Sequence, residues 1–225
     1  MKLPTYLLRR PPFDLTDEIA ALFEELFAEQ VLTAEGESIE YSLPTPKWQF
    51  LNYLCESKEI VVHGSGNSAI NEFEPRQSND AVEFGNQQAV YAASDGIWAS
   101  YYAILDRDRY VRSLVNTCQR IVDPDGEKKS YYYFSINEDA LPHNPWRTGT
   151  IYILPRRTFE RESAPEGRES AQWRSFSAVK PLAKISVRPE DFPFLGQIRG
   201  HDMPTVMRRS EKNPDGFPWL EDEDI

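Results

Sequence analysis

A chain of 225 residues with 40% hydrophobic and 12% aromatic residues fits one large domain, or a domain with a small extension, and is too rich in core-forming side chains for a disordered polypeptide. Lys and Arg number 25 against 36 Asp and Glu, and the net charge of −11 excludes non-specific attraction of the whole molecule to phosphate backbones or anionic membranes. There is no apolar run near the roughly 18 residues that a membrane span requires, so a soluble, cytoplasmic chain without membrane contact is expected.

Residues 11–46 hold nine acids and no Lys or Arg, which concentrates the negative charge. Thr16 is placed to cap a helix with Asp17 and Glu18 in its first turn, and Ile19, Leu22, Phe23, Leu26 and Phe27 follow at i, i+3, i+4, i+7 and i+8. The acids read as the solvated face of this amphipathic helix; the other reading is a docking surface for a basic protein partner. Residues 1–46 are set apart as an acidic N-terminal helical extension. Beyond Pro44 and Pro46, Trp48 to Leu54 has helical spacing, and Glu59 to His63 reads as a strand running into Gly64-Ser65-Gly66. The polar stretch to Gln88, with Pro75, Asn79, Asp80, Gly85 and Asn86, reads as a long irregular loop, and loops of that length usually carry function. Ala89 to Ala93 forms a short strand, Ser94-Asp95 an N-cap and first turn, and the next helix has Trp98, Tyr101, Tyr102 and Leu105 on its apolar side.

The second half changes character, with strands expected at 131–134, 150–154 and 183–187 from their β-branched and aromatic content. Helices early and strands late argue for an α+β fold. Residues 201–225 read as a C-terminal tail with four consecutive acids at 221–224. Cys55 and Cys118 stand alone and are expected as buried free thiols, and three scattered histidines write no metal site. The common nucleotide-loop, zinc-protease and serine-elbow motifs are absent.

Three features occur in a telling order: His63-Gly64-Ser65 at a strand end, Tyr91 in the following strand, and Tyr102 eleven positions later on a helix. Together they resemble the ADP-ribosyltransferase family, which includes the diphtheria-type toxins, the poly-ADP-ribose polymerases and the RNA 2′-phosphotransferases. The resemblance spans roughly residues 47–195, within a domain set at 47–200, and implies a split β-sheet core that takes NAD as substrate. It assigns His63 to the adenosine ribose, Gly64 to the nicotinamide amide, Ser65 to the same motif, and Tyr91 and Tyr102 to rings that sandwich the nicotinamide. Such rings tolerate developing positive charge, and stacking fixes orientation.

The family's third motif is a Glu on a late strand that stabilises the positive transition state. Here Gln172 is the first choice, with Glu169 and Glu190 as alternatives; a Gln bonds the ribose without bringing charge. Arg76, in Glu74-Pro75-Arg76, is a candidate for the pyrophosphate. Residues 147–188 hold nine cations against four acids, a net +5, which reads either as solvated strand faces or as a surface for phosphates or a nucleic-acid acceptor. The expected activity is NAD-dependent ADP-ribosyl transfer with release of nicotinamide to an unspecified acceptor, without a metal. The alternatives are a non-catalytic NAD-binding or protein-interaction module on the same fold, and NAD-dependent RNA 2′-phosphotransfer.

Overall fold

A computed structural model describes residues 4–78, 83–122 and 127–220. It opens with β1 (Leu8–Arg9) and α1 (Asp17–Leu26), capped as expected by Thr16, whose hydroxyl accepts the Ile19 N–H at 3.3 Å. Phe23 and Leu26 are buried, but Leu22 is 36% exposed, so the stripe that packs is narrower than the spacing indicates. Next come α2 (Lys47–Ser57), β2 (Ile60–Ser65), β3 (Arg76–Gln77), β4 (Gln88–Ala93) and α3 (Gly96–Ile104). The cap of α3 is Asp95, which accepts the Trp98 N–H at 2.9 Å. The second half supplies β5 (Leu114–Val122), β6 (Lys128–Asn137), β7 (Gly149–Pro155), β8 (Glu160–Arg161), β9 (Arg168–Ser170), β10 (Gln172–Ser175), β11 (Ala183–Val187), β12 (Arg199–His201) and α4 (Met203–Lys212).

The fold is α+β, with two sheets. The first runs β11-β7-β2-β4-β10-β8, with β3 beside β4; the second runs β1-β6-β5-β9, with β12 parallel to β6. Because α3 touches both, it sets their separation. Its Tyr101 is fully buried, lies 4.7 Å from the Phe134 ring and donates its hydroxyl to Ser135 O at 2.8 Å in the second sheet. Toward the first sheet, α3 rests on two glycines: a Cβ on Gly64 would stand 1.9 Å from Ala99 O, and one on Gly149 1.9 Å from Ala103 O. Any side chain at either place would push the helix off the sheet.

The acidic N-terminal segment is part of this core. Phe23 packs 5.4 Å from Phe50 of α2, and both belong to the cluster that includes Val62, Ile153 and Phe134. The stretch read as a tail likewise contains structure over residues 199–212. There β12 pairs with β6, and Val206 of α4 packs with Val115 and Tyr133. Val206 is the one buried residue of α4, with Met203 packed beside it three positions earlier, and this short apolar spacing falls inside the segment read as a tail. Cys55 and Cys118 are buried free thiols, and burial pushes both further up from the ordinary thiol range.

Candidate functional site

The ladder between β2 and β4 breaks after a single pair, Val62 with Ala93. The direction of the backbone groups follows from their neighbours. Leu182 N–H donates to Ile153 O at 2.8 Å, so Ile153 turns its polar backbone groups toward β11. Val62 and Gly64 lie opposite Ile153 and Ile151, and alternation therefore turns both toward β4. On the other strand, Ser94 N–H donates to Ala171 O at 2.8 Å, next to β10, which turns Ala93 and Tyr91 toward β2. The next rung is due between Gly64 and Tyr91. Instead, Nδ1 of His63 reaches across and bonds the Tyr91 carbonyl at 2.7 Å. Two residues farther along the same edge of β4, Ala89 pairs with Arg76 of β3.

A carbonyl only accepts, so the hydrogen sits on His63 Nδ1 and leaves Nε2 of the neutral ring as an acceptor. The ring lies 4.7 Å from Phe73. Burial lowers its pKa, and the bond to Tyr91 O only partly opposes the shift. Among the described residues Gly64 has no ladder partner on the side facing the gap, so its N–H and C=O stand there as an adjacent donor and acceptor.

Cross-strand partners share a face, so Val62, Ala93 and Gln172 project to one side. Tyr91, two residues from Ala93, projects there too, and Gly64 turns its Cα hydrogen to this side, where α3 packs. Gln172 is thus the diagonal neighbour of Tyr91, a spacing of about 7–8 Å that a long side chain spans. The hydroxyl of Tyr91 accepts the Gln87 N–H at 2.8 Å and donates to Phe84 O at 3.1 Å. Tyr102, on α3, leans toward the second sheet, where Asn116 Oδ1 accepts its hydroxyl at 2.9 Å and the Trp98 Nε1–H at 2.6 Å. Ser65 Oγ accepts the Asn67 N–H at 3.1 Å, and Arg76 is exposed. Gly64, Tyr91 and the β3 residue Arg76 therefore lie along one edge of β4, with Gln172 across that strand on the face of Tyr91, while the His63 ring, alternating with Val62 and Gly64, lies on the opposite face against Phe73.

The two other acids lie elsewhere. Glu190 is exposed in the turn after β11. Glu169 is on β9 of the second sheet, 3.0 Å from Lys128, 2.8 Å from Arg161 and 3.9 Å from Arg120. Burial pushes its carboxyl up, but hydrogen bonds from Lys128 and Arg161 outweigh this and hold it below the ordinary carboxylate value. It lines a cavity of about 230 Å³ with Cys118, Arg120, Glu162, Arg168 and Ser170. Beside that cavity is a buried polar cluster. Asp95, fully buried, accepts the Tyr132 hydroxyl at 2.8 Å and lies 3.9 Å from Arg120, which also donates to Ser94 O. The start of α3 is legible in sequence to within one residue, the cap being Asp95 and not Ser94, whereas the cation of Asp95, 25 residues away on an unpredicted strand, is not.

The basic stretch 147–188 is largely neutralised locally: Arg156 pairs with Glu59, Arg161 with Glu169, and Arg174 with Glu160. Among the described residues no three His, Cys, Asp or Glu side chains are grouped to hold a metal ion, and no helix is long and apolar enough to cross a membrane. No protein-family model, curated protein or solved structure matches the chain.

Proposed function

We propose that the chain binds the nicotinamide end of NAD at the gap between β2 and β4 and transfers ADP-ribose to an acceptor, releasing nicotinamide. The observation that carries this reading is the missing rung, which leaves the N–H and C=O of Gly64 adjacent and facing the gap beside Tyr91. A primary carboxamide needs one acceptor and one donor, and a glycine offers both with no side chain in the way. His63 supplies Nε2 to a sugar hydroxyl, Tyr91 supplies a ring face, Gln172 supplies an uncharged amide for the second ribose, and Arg76 supplies a guanidinium for phosphate; Tyr102, bonded to Asn116 of the second sheet, is not at the gap. In the transfer, the bond from ribose C1′ to the nicotinamide nitrogen breaks with its electron pair leaving on nicotinamide. A lone pair of the acceptor forms the new bond to C1′, and the acceptor's proton passes to solvent.

A second reading, NAD binding without turnover, is favoured by one observation: the side chain beside Tyr91 is an amide, while Glu169 is engaged by Lys128 and Arg161. Titration calorimetry with NAD and chromatography of released nicotinamide, on wild type and Tyr91→Ala, separate the cases. Binding with release, both lost in Tyr91→Ala, supports transfer. Binding without release supports the second reading, and a wild type that does not bind NAD refutes both.

A further inference from the structure

We propose that Arg174 is a positioning residue for Tyr91, acting through the turn at residues 83–87; this rests on the reading of Tyr91 as a ring of the nicotinamide site. Arg174 lies directly opposite Tyr91 in the β10–β4 register, on the same face. Its guanidinium carbon stands 4.0 Å from the centroid of the Phe84 ring, and Nη1 donates to Phe84 O at 3.2 Å. The Tyr91 hydroxyl accepts the Gln87 N–H at 2.8 Å and shares its own hydrogen between that same carbonyl at 3.1 Å and Gln87 O at 3.2 Å. One backbone oxygen therefore receives both a sheet cation and the end of the tyrosine ring.

The other side of the guanidinium is fixed by Glu160, which accepts from Nε at 2.7 Å. Stacking on Phe84, donating to its carbonyl and pairing with Glu160 use the face, one corner and one edge of a planar fork, a combination that a lysine cannot reproduce. The arrangement ties the turn to β10 and β8, and the turn in turn holds the hydroxyl of Tyr91. Ring orientation is what a stacking residue contributes, so the contact that fixes the hydroxyl acts on the site without touching the ligand.

The test uses the full chain with ¹³C-labelled tyrosine rings, the Tyr91 signals being assigned by their loss in Tyr91→Phe. In Arg174→Met and Arg174→Lys the Tyr91 signals are expected to shift or broaden, and NAD affinity is expected to fall roughly tenfold, the loss of one charge-assisted hydrogen bond. In the Tyr91→Phe background, which already lacks the hydroxyl, the same Arg174 changes should alter affinity far less. A lowered unfolding midpoint with unmoved Tyr91 signals, or equal affinity losses in both backgrounds, overturns the proposal. If wild type does not bind NAD, the nicotinamide reading fails, and the Tyr91 signals still decide whether Arg174 positions the ring.

Discussion

His63 Nδ1 bonds the carbonyl of Tyr91 at 2.7 Å, at the place where a backbone rung between Gly64 and Tyr91 is due. A side chain thereby holds two central strands apart while satisfying one of the backbone groups that the parting exposes. The same sheet that forms the core is thus opened at one point, and the opening is lined by polar backbone.

The tautomer and burial of this histidine set a pH dependence. Burial holds both His63 and His201 below their ordinary pKa, and His201 is further tied to Ser113 and Ser135 by bonds of 2.8 Å at each ring nitrogen. A folded-state pKa below the unfolded one means that the unfolded chain binds more protons. The stability is then fully present above about pH 6.5 and declines as pH falls toward the lowered folded values. Urea midpoints should drop from pH 7 to pH 5, and the drop should be smaller in His201→Asn; an equal or larger drop would contradict the assignment.

Gly64→Ala should destabilise the fold by about 3 kcal/mol, because the new methyl meets the backbone oxygen of Ala99 at 1.9 Å, which a rotamer change cannot relieve. Gly149→Ala should behave alike against Ala103 O, whereas Gly196→Ala, with nothing within 4 Å of the added carbon, should be within about 0.5 kcal/mol of wild type. Chemical denaturation of the three variants checks the order.

Asp95→Ala removes the α3 cap, the acceptor of the Tyr132 hydroxyl and the carboxylate beside buried Arg120. Leaving that guanidinium without its counter-charge should cost about 3–5 kcal/mol. Tyr132→Phe, which removes one neutral donor, should cost about 1 kcal/mol. Equal losses in the two variants would show that the charge of Asp95 is not what stabilises the junction.

Much of this arrangement is legible in the sequence. The cap at Thr16, the start of α3 to within one residue (Asp95 caps it where Ser94 is expected), the helix from Trp48 and the strands around His63, Tyr91, Tyr133, Ile151 and Ile185 follow from local spacing and composition. What is hidden is long-range. The strand Leu114–Val122 buries Arg120 where alternation alone gives no reason for a cation, because its partner Asp95 comes from another element. Short β3 has no period of its own and exists because β4 offers it an edge. The choice among Gln172, Glu169 and Glu190 is open in sequence. Their places differ only through pairing: Gln172 with Ala93 beside the gap, Glu169 with Arg120 in the other sheet, Glu190 in an exposed turn. Leu22 shows the opposite error, an apolar residue at helical spacing that the fold leaves 36% exposed.

The most direct measurement is an amide NMR titration of the ¹⁵N-labelled chain with NAD. A nicotinamide amide held by the backbone of Gly64 predicts that the Gly64 amide signal moves saturably, together with the signal of Tyr91 and ahead of those from α4, which packs on Val115 and Tyr133 of the second sheet. A Gly64 signal that stays in place while NAD is raised to millimolar concentration would contradict the account.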